Sequence, residues 1–252
     1  MTDRADDEPW YFTDLLSDVS VGDWVSESTS AFDGTVTALV PGGFETYSRV
    51  LHPARMKSAS GITVPVRWSI VADALGAVMH QSVAWGSMIE AGVRQGRGTG
   101  QGSLWTDSPH PGELSVNEAE VLGSVLAGLT TTPDDCFFGF WEGVGLQGVR
   151  RDQAGLVLPG RKHLLVRGAV ADVSRGLQGF LPHVWWPADR AWFVATDVDL
   201  TSTYVGGSTD VANALAAEHP GLECVGSWRG ANITWTCDTI NPRPPEPYSH
   251  YH

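Results

Sequence analysis

The chain has 252 residues, 42% of them hydrophobic and 18% charged, which excludes a disordered or collagen-like polymer and allows a sizeable core. Sixteen Lys and Arg against 29 Asp and Glu give a formal charge of −13 at pH 7. Such a surface repels phosphate backbones and anionic lipid, so a nucleic acid or a membrane is not an expected partner and a basic protein is.

Cys136, Cys224 and Cys237 show no CxxC spacing and no even framework, as expected of reduced thiols. The start MTDRADDEPW is acidic where a secretory leader is basic and then apolar. No window approaches 18 apolar residues, so the expected location is the cytoplasm. Only Lys57 and Lys162 are lysines, an Arg bias that fits a GC-rich coding genome.

Along the chain, Trp10, Tyr11, Phe12, Leu15 and Leu16 have helical spacing and predict a short amphipathic helix within residues 1–20. Residues 34–51 read as two short strands around Pro41-Gly42-Gly43. VPVRW predicts a strand, followed by a helix to Leu75 with Ser69 as its N-cap. His80 to Glu90 fits a helix or a loop equally. Residues 91–112 hold six glycines and two prolines, a composition that breaks regular structure and marks a lobe boundary or a flap.

Ser115 with Glu118 three residues later is a capping box, and Val121, Leu122, Val125, Leu126 and Leu129 form the apolar face of the helix it opens. CFFGFWEGVG begins a strand too apolar to be an edge. LLVRGAV is expected to pair with AWFVATDVD, with helical character in VADVSRGLQ between them. Gly206-Gly207-Ser208 leads into a helix capped by Ser208 or Thr209 and stopped by Pro220-Gly221, and LECVGS is a further strand. The tail, residues 241–252, has four prolines and reads as extended or disordered.

The densest chemistry lies in residues 181–208. Trp185 and Trp186 either fill the core of a glycine-rich chain or, with Phe138 to Gly145, wall a cleft. Asp197 and Asp199 end a strand as hhhhDxDxT, the pattern of haloacid dehalogenase-like phosphotransferases. Those enzymes need a later lysine, and none of the fifty-one residues after Thr201 is one, so that resemblance fails. With no third acid nearby the pair is read as two solvated carboxylates, and no metal is expected. Ser208 follows two glycines at a helix start, an anion site or a glycine turn. Glu142, between apolar residues, is either desolvated or paired with Arg167 or Arg190.

The best basic patch, Arg150-Arg151 with Arg161-Lys162-His163, is short. His52, His80, His110, His163, His183 and His219 are scattered, and the one HxH, His250 and His252, lies in the tail. GxSxG, GxxxxGKS and GxGxxG motifs are absent, so no cofactor is expected.

Six blocks carry a resemblance: VPGGFETYSRVLHPA (40–54), VRWSIVADALG (66–76), FGFWEGVG (138–145), LPGRKHLLVRGAV (158–170), WWPADRAWFVATDVDLTSTYVGGS (185–208) and DTIN (238–241). Together they resemble a family of uncharacterised actinobacterial proteins, a likeness that carries no activity and no site residues. The expected fold is α+β, one domain with a mixed or antiparallel sheet and helices on one side, bilobed if residues 91–112 divide it. The expected function is a non-catalytic binding or interaction protein with an acidic surface. The alternative is an enzyme acting on a small molecule in an aromatic cleft.

Overall fold

The computed structural model describes residues 9–112, 114–150 and 152–245. The first eight residues, Arg151 of the basic patch and the tail from 246, with His250 and His252, lie outside the described residues. Among the described residues, ten strands and five α-helices follow in chain order. Eight of the strands form one sheet, and each of its pairings is antiparallel. Its order is β10 (Cys224–Ser227), β1 (Thr46–Leu51), β9 (Ser202–Gly207), β8 (Phe193–Thr196), β7 (Val184–Pro187), β4 (Cys136–Trp141), β6 (Arg161–Gly168), β5 (Leu156–Leu158). β2 (Ala54–Lys57) and β3 (Thr63–Val66) form a separate hairpin.

Alternation along the strands sends side chains into two cores, one on each face. On one face Phe138, Phe140, Trp185, Val194 and Val205 meet Leu122 and Leu126 of α4 (Val116–Ala127) and Val211 and Leu215 of α5 (Thr209–Ala216). On the other, Phe137, Trp186, Phe193 and Tyr204 meet Val25 of α1 (Asp23–Ser28) and the Val36–Ala38 turn. The two longer sheet-packed helices thus share a side, while a short helix and a 3₁₀ turn close the opposite one. A third cluster gathers Trp68, Val71 and Leu75 of α2 (Trp68–Leu75), Trp85, Met88 and Ile89 of α3 (Trp85–Arg94), and Trp105, against Leu51 and Ala54. Residues 91–94 complete α3, and the glycine-rich stretch after it returns Trp105 into this cluster.

Local chemistry was read correctly where it is self-contained. The Ser115–Glu118 capping box opens α4, and β4 is interior, between β6 and β7. Elsewhere the structure corrects the expectations. Residues 9–20 carry no α-helix; Trp10 instead bridges to Leu177 and packs on Phe138 at 4.9 Å. Only the second of the two strands expected around Pro41-Gly42-Gly43 forms, and Val36–Ala38 is a 3₁₀ turn. Ser69 does not cap α2: its N–H and that of Trp68 donate to the Glu223 carboxylate at 3.0 and 2.5 Å. LLVRG in β6 pairs with β4 rather than with β8, and β5 pairs with the start of β6 at Arg161 to His163. Gly206 and Gly207 are no turn but the end of β9, where a Cβ on Gly206 would come within 2.5 Å of the Phe44 ring. α5 stops at Ala216, before Pro220-Gly221.

Candidate functional site

β1 carries one long charged side chain, Arg49, where both faces of the strand are covered. Between β9 and β10 it lies in register with Tyr204 and Val225, and it is 7% exposed. Its Nε donates to Ser202 Oγ at 2.9 Å, Nη1 donates to the Val83 carbonyl at 2.7 Å, and the guanidinium lies 5.6 Å from the Trp68 ring centre. Among the described residues no carboxylate forms an ion pair with it, and Nη2 makes no hydrogen bond. Guanidinium keeps its proton at any ordinary pH, and a desolvated cation without a counter-ion is costly.

Val83 belongs to the turn that leads into α3. Asp238 fixes this turn from the far end of the chain, accepting from His80 Nε2 at 2.9 Å and from the Ala84 amide at 3.1 Å. It also accepts from the Ile240 and Asn241 amides and from Asn241 Nδ2, so both of its oxygens are occupied. Asn241 in turn exchanges two hydrogen bonds with the Val78 backbone. The DTIN segment is therefore a clasp that holds the chain's end against the start of α3.

α3 has no side-chain N-cap, and among the described residues nothing accepts from the amides of Trp85, Gly86 or Ser87. The other helices of eight residues or more are served by a glutamate. Glu223 takes the first amides of α2, Glu118 completes the α4 box, and Glu45 accepts from the Thr209 amide and hydroxyl of α5. Trp85, at the first position of α3, lies edge-on between Trp68 and Trp105, each at 5.4 Å. Its Nε1–H is buried without an acceptor.

A cavity of about 350 Å³ opens between these parts, walled by Arg49, the α3 start at Ala84 to Gly86, Tyr204, Trp235 and Cys237 among others. Asp199 is a carboxylate of the wall, four-fifths exposed and facing Arg161 at 3.4 Å. Burial pushes the Cys237 thiol above its ordinary range, partly offset by Arg49, and its Sγ–H donates to the Ser82 carbonyl at 3.3 Å. Burial likewise raises the Tyr204 phenol. Both groups are held protonated, so neither adds negative charge to the wall.

The residues singled out from sequence lie mostly elsewhere. Trp185 and Trp186, 2% and 1% exposed, point to opposite faces of β7 and form core rather than one wall of a cleft. Asp197 is not solvated: it is 5% exposed and bound to Arg161 Nη1 at 2.5 Å, and its Oδ1 accepts from the Asp199 amide. Glu142 is not desolvated, with a side chain 41% exposed, and it pairs with Lys162 at 3.1 Å, not with Arg167 or Arg190. Arg167 binds Asp135, while Arg190 lies over the Trp24 ring. Ser208 caps α5 through the Val211 amide. Of the predicted set, Asp199 alone reaches the cavity. The basic patch is dispersed: Arg150 pairs with Asp152, Arg161 and Lys162 with acids, and His163 is buried. Groups of three or more acidic, His or Cys side chains able to hold a metal are absent among the described residues.

The sequence did carry a signal for Arg49, an arginine inside the apolar strand TYSRVL. Tertiary context alone shows that no carboxylate among the described residues pairs with it. Comparison with protein-family models, curated proteins and solved structures finds no match. The site and the fold together define an α+β protein with a donor-lined cavity beside an antiparallel sheet.

Proposed function

We propose that this is a non-catalytic binding protein whose ligand is a small organic molecule held in the cavity at the start of α3. The observation that carries this reading is the buried charge of Arg49, with no carboxylate partner among the described residues, beside the open α3 amides on the wall of the same cavity. A buried cation normally has a counter-ion, and one without it on the wall of a concavity marks a place for a missing partner. The protonated Cys237 thiol supports binding over nucleophilic chemistry. A small ligand replaces the basic protein partner as the favoured occupant, because the cavity offers it a place and net charge alone does not. Under this reading the chain works in the cytoplasm, with its three free thiols reduced. Among the described residues no helix is long and apolar enough to cross a membrane.

A thermal-shift panel of neutral, anionic and cationic single-ring compounds tests the proposal. A compound at about 100 times its Kd should raise Tm by ~5–10 °C. Thr234→Trp, at an exposed position of the cavity wall, should erase the shift. Shifts that survive Thr234→Trp would place the ligand elsewhere and refute the assignment.

A further inference from the structure

We infer that the cavity selects an oxyanion, a carboxylate or phosphate group carried on an apolar body. The inference rests on the binding function proposed above and adds the class of ligand.

Two observations converge on a negative group. Arg49 is a buried guanidinium with two donors used on neutral oxygens, one face on Trp68, and Nη2 unassigned among the described residues. A fork of this kind matches carboxylate and phosphate oxygens. The α3 amino terminus brings open amides and the positive end of the helix dipole to the same wall. The hydroxyls of Thr201, Ser202 and Thr234 add adaptable hydrogen bonds around these fixed ones.

The acids nearby are already committed. Asp238 stands behind the α3 start with both oxygens filled, and Asp199, at the wall, faces Arg161 and solvent. At α2 and α5 a protein glutamate accepts from the first helical amide; at α3 Asp238 accepts only from the N-cap amide of Ala84, and the amides of Trp85, Gly86 and Ser87 are left for a ligand. The apolar remainder of the wall, Trp235, Ile233 and the Tyr204 ring, fits an aromatic or aliphatic body. A volume of about 350 Å³ is at the small end of ligand pockets and suits one ring with its anionic group.

Calorimetric titration with sodium benzoate, phenyl phosphate, benzamide and benzamidine at fixed ionic strength tests this. Benzoate or phenyl phosphate should bind at least 10-fold more tightly than benzamide, and benzamidine should not bind. Arg49→Met keeps the stem over Trp68 and removes the charge; circular dichroism and Tm report whether it folds. In the folded variant the 10-fold preference for the anion should vanish. Should Arg49→Met not fold, competition of inorganic phosphate against benzoate on the wild-type protein takes its place, with displacement expected. Equal affinity for benzoate and benzamide, or an unchanged preference in Arg49→Met, overturns the anion inference and leaves the cavity reading standing. Binding of none of the four probes overturns both.

Discussion

Trp186→Ala is expected to destabilise the fold by about 3–5 kcal/mol, the range for deleting a large buried aromatic, without a specific effect on ligand binding. The ring is stacked on Phe193 at 5.5 Å, tilted against Phe137 at 5.7 Å, and met edge-on by Trp24 at 6.3 Å. Neighbours on a sheet face cannot collapse into so large a void, because their backbones are fixed by the ladders on both sides of β7. Urea denaturation should show a lower midpoint at unchanged slope. A variant as stable as the wild type that has lost ligand affinity would restore Trp186 to a binding site.

Acidification is expected to unfold the protein well above the pH at which most carboxylates titrate. His52, His163 and His183 are buried and neutral. Burial is the main cause in each, and it lowers them from 6.5 to about 4, about 3 and about 4 respectively. His163 also feels His183 and Arg161, and His183 feels Arg161. His183 Nδ1 accepts from the Trp141 amide, a role lost on protonation. Since the folded values lie below the unfolded one, the unfolded chain takes up protons first as pH falls below 6.5. The stability is fully present above that pH and is lost between 6.5 and about 4 for His52 and His183, and down to about 3 for His163. Each histidine contributes a slope of about 1.4 kcal/mol per pH unit, so the three together give roughly 4 kcal/mol per unit near pH 5. That is a large fraction of a typical ~5–15 kcal/mol stability. Urea midpoints measured from pH 7 to 4.5 should fall steeply, and a replacement of His163 by Phe that folds should lessen the slope by about a third. A flat profile over that range would show these histidines to be solvated.

How far the sequence discloses this molecule depends on the reach of each interaction. Ser115 and Glu118 are three residues apart, so the α4 start is written locally, and six consecutive apolar positions identify β4 as interior. α3 was undecidable because its start is fixed by Asp238, 154 positions away, with Ala84 at the N-cap. β6 found β4 rather than β8 because strand partners are chosen by the packing of whole faces, which no single strand encodes. The same holds for the site. Adjacent tryptophans looked like one aromatic wall, yet strand alternation sends Trp185 and Trp186 into separate cores. Asp197 and Asp199 looked like a solvated pair until Arg161, 36 residues earlier in sequence than the first, closed on both. Arg49 drew no notice within the apolar strand TYSRVL, because the lack of a carboxylate partner among the described residues is a property of the assembled sheet.

The central claim is that the cavity beside α3 receives the ligand, and indole N–H resonances report on it directly. With ¹⁵N-labelled protein titrated with sodium benzoate, the Trp85 and Trp235 side-chain signals, assigned by substitution, should move together and saturate. Trp24 Nε1, another buried donor without a partner, should stay in place with Trp186 beside it. Movement of the Trp24 and Trp186 signals with Trp85 unchanged would contradict the account and return the binding site to the opposite end of the sheet face.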